Sequence, residues 1–205
     1  PLMHNISQLR MFVLLVHRSD WQSDWITTAA YRSLTLDILP DTAQQTLFAD
    51  LLEGLTPPTG LAEAVLSRTG GNPFFITEVV RSLQENNLLV RADNHWLLTI
   101  PLDDAPIPIT VDSAIQARID RLMESSRQVL MRAAVIGAEF DHSLLEQVQE
   151  EPVRQQLEPS LEELTRRDFL RSSMLFTFTY AFRHALIQES VYNNLLAPYR
   201  RVLHR

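Results

Sequence analysis

Six histidines and no cysteine set the limits of the side-chain chemistry open to this chain. None of His4, His17, His95, His142, His184 and His204 sits at H-E-x-x-H or another metal-ligating spacing. With no thiol there is no disulfide framework, thiolate ligand or thiolate nucleophile. All 18 basic residues are arginine. The absence of lysine removes Schiff-base chemistry and any Walker A loop from this chain, because that loop needs its lysine on the β- and γ-phosphates. There is no G-x-S-x-G elbow either. Anion binding stays open at a few positions. His184 lies in Phe182-Arg183-His184-Ala185-Leu186, where a strand-like pattern gives way to a helix-like one. A helix N-terminus offers free N–H groups and partial positive charge to an anion. The alternative for His184 is a capping or packing residue. Arg183 is either a second phosphate donor or an exposed charge. Arg18 follows the wholly apolar run Met11–Val16. In open α/β sheets, ligands bind beyond the C-terminal ends of strands. Arg18 is thus placed to meet a phosphate, or is a surface arginine after a strand. Glu150-Glu151 and Glu162-Glu163 read as solvated helix surface rather than acid/base pairs.

The elements that must position these residues are predominantly helical. The chain has 205 residues, 45% hydrophobic and 21% charged, which is long enough for a core and typical of globular proteins. The net charge of −7 argues against non-specific DNA or acidic-membrane binding. No apolar run approaches the ~18 residues of a membrane span, and no signal-peptide pattern opens the chain. A cytoplasmic location is the expectation.

The most informative stretch is Ser67–Leu89. Gly70-Gly71 ends one helix, since glycine takes left-handed torsions at no steric cost. Asn72 suits an N-cap and Pro73 a first helical residue. The spacing that follows sets Phe74, Ile76, Val79, Val80 and Leu83 inward, with Glu78, Arg81 and Glu85 outward. Before this corner, Met11–Val16 and Leu34–Leu39 read as strands. Helices are expected over Ala43–Leu52, capped by Asp41 or Thr42, and over Leu61–Arg68, capped by Thr59. The corner helix runs Pro73–Asn86.

Leu88–Arg91 and His95–Ile100 flank Ala92-Asp93-Asn94 and predict a hairpin. Residues 101–108 hold three prolines and read as an ordered linker. Beyond it, Val111–Met123 is amphipathic, with Ile115, Ile119 and Leu122 on one face. Further helices are expected over Ser126–Ile136, Asp141–Val148 and Leu157–Arg167. Leu170–Ser173 and Met174–Phe182 predict a hairpin, and Ala185–Leu195 and Tyr199–Arg205 predict helices. Helices followed by a hairpin outline a winged helix.

Three segments, GGNPFF, the pair IQARIDRL and AAVIG, and FRHALIQESVY, occur in an order and spacing that resemble the STAND class of P-loop signal-transduction ATPases. The branch is the one found beside class III adenylyl cyclase, Ser/Thr kinase and LuxR-type domains, and the resemblance spans nearly the whole chain. It implies residues 1–40 as the last strands of an α/β nucleotide-binding domain, and 41–100 as a helical lid with a hairpin. It further implies 101–108 as linker and 109–205 as a winged-helix domain. It implies that Gly71, Asn72 and Pro73 form the lid corner, with the proline near the adenine of ATP or ADP. It implies Arg18 as a sensor arginine, although Leu15 and Val16 stand where the family writes glycine and threonine. It implies His184, with Arg183 beside it, against the β-phosphate of ADP, with alanine where plant and animal relatives have aspartate. A P-loop domain with its Mg²⁺ would lie upstream of Pro1 and a repeat sensor downstream of Arg205, with homo-oligomerisation on activation. This segment alone should not hydrolyse ATP.

A different class of reading is a stand-alone helical and winged-helix module for protein interaction or DNA binding. Its recognition helix would be Leu157–Arg167, which sets Glu158, Glu162 and Glu163 against Arg166 and Arg167. That mixture, beside an aromatic and nearly uncharged hairpin, favours packing over DNA.

Overall fold

The computed structural model of the chain describes residues 12, 14–17, 32–173 and 179–204. The chain divides into two units, Pro1–Ile38 and Leu39–Arg205. In the first, the described residues have no regular structure, and Phe12, Leu14, Val16, Leu34, Leu36 and Ile38 are exposed. The strand expected at Leu34–Leu39 is therefore absent. Its alternating pattern is present, but a strand needs a neighbour to take its hydrogen bonds, and none pairs with it among the described residues. Residues 12 and 14–16 of the other expected strand are likewise irregular. Met11, Val13 and Arg18 lie outside the described residues.

The second unit is mainly helical with two small antiparallel sheets. It opens with α1 (Asp41–Leu51), α2 (Leu61–Thr69) and α3 (Pro73–Glu85). Neither expected side-chain cap forms on the first two helices: α1 starts directly after Pro40, and α2 after Gly60 at φ 79°. Helix α3 is capped at its C-terminus by Asn86, and Asn87 takes a left-handed φ of 53°. The hairpin β1 (Leu89–Ala92) and β2 (His95–Leu98) follows in the register Leu89 opposite Leu98. The Trp96 indole N–H donates to the Leu52 carbonyl at 3.0 Å and ties the hairpin to the end of α1. The proline-rich stretch is ordered against this half, since Ala105 and Ile107 are buried with Phe48, Leu61, Val65 and Val79.

The chain continues through α4 (Val111–Ile119) and α5 (Glu124–Ile136). The start of α4 carries a reciprocal capping box between Thr110 and Ser113. Then come β3 (Glu139–Asp141), α6 (His142–Gln147) and α7 (Leu157–Arg166). They are followed by β4 (Leu170–Ser173), β5 (Thr179–Phe182), α8 (Ala185–Asn194) and α9 (Ala197–Leu203). The three-stranded sheet has the order β3-β5-β4, with Phe140 opposite Tyr180 and Leu170 opposite Phe182. A second core forms around Val129, Leu130, Leu161, Leu164, Phe169 and Ile187. Helix α4 belongs to both cores, giving Ala114 to the first and Ile115 to the second.

Strand β3 has no counterpart in the sequence reading, which began a helix at Asp141. Three residues carry no readable period, and only pairing with β5 makes them a strand. Among the described residues no helix is long and apolar enough to cross a membrane.

Candidate functional site

The corner at Gly70–Pro73 has steric reasons at each position. Gly70 and Gly71 have φ of 56° and 76°. A Cβ on Gly71 would sit 2.9 Å from the Gln44 amide nitrogen and 3.2 Å from the Leu39 carbonyl oxygen. Those two groups are already joined, because Gln44 Nε2 donates to the Leu39 carbonyl at 2.7 Å. The Leu39 N–H in turn donates to the Gly71 carbonyl at 3.2 Å. Asn72 caps α3 as expected, its Oδ1 accepting from the Phe75 N–H at 3.1 Å. Pro73 occupies the first turn.

From this corner the chain sends its two phenylalanines in different directions. Phe75, not Phe74, is buried with Ile76, Val79 and Val80. The expected inward Phe74 is only partly buried and packs against the second core. Its ring lies face to face with the His184 imidazole, centroids 4.0 Å apart and planes 14° apart.

His184 is the N-cap of α8, with φ −146° and ψ 143°. Its Nδ1 accepts from the Leu186 N–H at 3.1 Å. An accepting Nδ1 leaves the ring proton on Nε2, as a donor. The capping alternative of the sequence reading is thus realised, and it leaves one ring nitrogen to meet an anion. Helix α8 is fixed by Gln188, whose Nε2 donates to the Ala134 carbonyl at 2.7 Å, and by the Ser190 hydroxyl, which bonds the Asp112 carboxylate.

Arg183 is exposed, with Nε 3.7 Å from Asp168 Oδ1. Asp168 stands at φ 57° in the turn between α7 and β4. Its other oxygen accepts from Arg81 of α3 at 2.6 Å. One carboxylate therefore holds two guanidinium groups from opposite sides of the seam between α3 and the β5–α8 junction.

Beneath lies a buried ionic cluster. Arg118 and Glu78 meet at 2.6 Å, and Glu85 Oε1 accepts from Arg118 Nη2 at 2.9 Å. Arg118 also donates to the Arg167 carbonyl and lies 4.5 Å over the Phe169 ring. Burial opposes the Arg118 charge, but the carboxylates of Glu78 and Glu85 outweigh it and hold the guanidinium above its ordinary range. Arg167 reaches Glu163 at 3.1 Å, and Glu163 is buried rather than solvated. Glu78, expected outward, is fully buried. Glu78 is neutralised by Arg118 of another helix and Glu163 by Arg167 one turn along its own, and each carboxylate, once paired, can be buried.

The structure thus brings Phe74, which follows the Asn72–Pro73 corner, against His184, while Arg183 is linked to α3 through Asp168 and Arg81. Arg18 lies outside the described residues. Sequence reasoning missed Phe74, Arg81, Asp168 and the Arg118 cluster as partners. A signal for Arg118 existed, since it shares its helix face with Ile115, Ile119 and Leu122. Among the described residues no cluster of histidine and carboxylate groups could hold a metal.

Residues 41–95 match a family described as Domain of unknown function (DUF8739). The chain is 28% identical over 210 residues to "Uncharacterized protein R02095" of Rhizobium meliloti (strain 1021), a match covering 98% of this chain and 19% of that protein. The chain thus spans about a fifth of the length of that relative. No solved structure matches.

Proposed function

We propose that this chain is the lid and winged-helix part of a STAND-type switch that responds to ADP and ATP. The observation that carries the reading is the face-to-face contact of Phe74 with His184 at 4.0 Å. It joins the two segments that the resemblance assigns to the nucleotide, although they lie more than a hundred residues apart in the chain. The donor set suits a diphosphate: Nε2 of His184 is left to donate, and Arg183 is exposed beside it. The corner Gly71-Asn72-Pro73 would take the base side, and Arg18 would serve as sensor. The order β3-β5-β4, with α5, α6 and α7 arranged around it, supports the winged-helix reading of residues 109–205. Helices α1–α3 fit the lid.

Bound ADP would bridge lid and winged helix and favour the resting state, which makes the protein a two-state switch biased by nucleotide contacts. A P-loop domain elsewhere in the full-length protein would supply the lysine and Mg²⁺ of phosphoryl transfer. Its output would be an adenylyl or guanylyl cyclase or a LuxR-type domain, in the cytoplasm, with assembly into homo-oligomers on activation.

Binding of ADP to the full-length protein tests this by calorimetry. Micromolar or tighter ADP binding that weakens at least tenfold in His184→Ala is expected. A full-length protein that binds neither ADP nor ATP would overturn it. The interaction or DNA-binding alternative then becomes the reading to pursue. The exposed Glu158 and Glu162 on α7 weigh against DNA.

A further inference from the structure

We infer that Phe74 is a positioning residue that orients His184 toward the phosphates of the bound nucleotide; this rests on the switch reading above. An aromatic ring at position 74 is not needed by the core of the lid. Phe75 fills that role at 5% exposure, whereas Phe74 leaves the lid and packs against the second core. Its contact with His184, at 4.0 Å and 14°, is tighter than the ~4.5–7 Å of ordinary aromatic pairs.

The imidazole is restrained twice. The Leu186 N–H fixes Nδ1 at 3.1 Å, which sets the tautomer and one direction of the ring. The Phe74 face sets the plane of the ring, which the single hydrogen bond leaves free to rotate. Together they aim Nε2–H without any ligand present. A donor held in place loses less side-chain freedom on binding and so contributes more to affinity. Phe74 follows Pro73 directly on α3, so its position is inherited from the corner that the Asn72 cap and the two glycines build. The plane of the histidine ring is therefore set by the lid, and its direction by the helix that it caps.

The test separates orientation from packing by the ligand used. Calorimetry of the full-length protein compares ADP with adenosine, which has the base but no phosphate for His184 to meet. Phe74→Leu, and Phe74→Met which reaches further with a similar volume, should both weaken ADP about three- to tenfold and leave adenosine unchanged. Phe74→Tyr, which keeps the ring face, should bind ADP as the wild type does. Adding Phe74→Leu to His184→Ala should cost nothing further for ADP, because the histidine through which Phe74 acts is gone. Equal losses for ADP and adenosine, or an additive double variant, would assign Phe74 to packing and overturn the inference. Wild-type affinity for ADP in Phe74→Leu and Phe74→Met would overturn it too, with the nucleotide reading left standing. Absence of ADP binding in the wild type would remove both.

Discussion

Arg118 and Glu78 form a 2.6 Å ion pair in which neither side chain reaches solvent. It links α4 to α3 where the two apolar cores approach one another. Glu85, the Arg167 carbonyl and the Phe169 ring complete the surroundings of the guanidinium. A pair so placed adds little net stability, because desolvation offsets most of the attraction, but it is costly to break.

Arg118→Ala should therefore destabilise the fold by ~3–5 kcal/mol, since it leaves the Glu78 charge buried alone. Arg118→Met combined with Glu78→Gln should recover part of that loss. Urea unfolding followed by circular dichroism measures both. A single variant within about 1 kcal/mol of wild type would mean that the pair does not carry the seam, given the usual scale of such losses.

The two corner glycines should differ. Gly70→Ala meets no atom within 4 Å and carries only the penalty of a positive φ, roughly 1 kcal/mol. Gly71→Ala adds a clash with Gln44 and with the Leu39 carbonyl, and should cost roughly 2 kcal/mol or more. Equal unfolding midpoints for the two variants would refute the packing account of Gly71.

The Asn72 cap gives a smaller effect. Asn72→Ala should cost ~1 kcal/mol, because the Phe75 N–H loses its acceptor, while Asn72→Asp should keep the bond and add a favourable charge at the helix start. Midpoints of thermal unfolding, with Asn72→Asp at or above wild type, check this pair.

Tyr180 sets an alkaline dependence. Burial first, then the carboxylates of Glu158 and Glu162, push its phenol above the ordinary value. The neutral form is thus favoured in the native state. Its contribution is fully present below the unfolded value, near ~10, and is lost as pH rises through the higher native value. Tyr180→Phe should flatten the decline in urea midpoint above pH ~10 relative to wild type. An unchanged alkaline slope would contradict the assignment.

The sequence by itself determined the local features. The Gly70–Pro73 corner, the Asn72 cap, the end of α3 and the buried face of α4 follow from torsional preference and from spacings of three and four residues. Each is decided within one or two turns of chain, so each is written where it acts. His184 at a helix start was legible for the same reason. Tertiary structure decided the rest. Nothing local distinguishes Phe74 from Phe75, because which ring faces which core depends on where α8 lies. Glu78 reads as a surface residue until Arg118, forty residues away, neutralises it. Asp168 gains its role only when Arg81 and Arg183 reach it from two sides. Residues 139–141 become a strand only because β5 runs beside them, and Leu34–Leu39, with an alternating pattern but no partner strand among the described residues, does not. A hydrogen-bond ladder and a buried ion pair each need two segments, and a single stretch of sequence specifies only one of them.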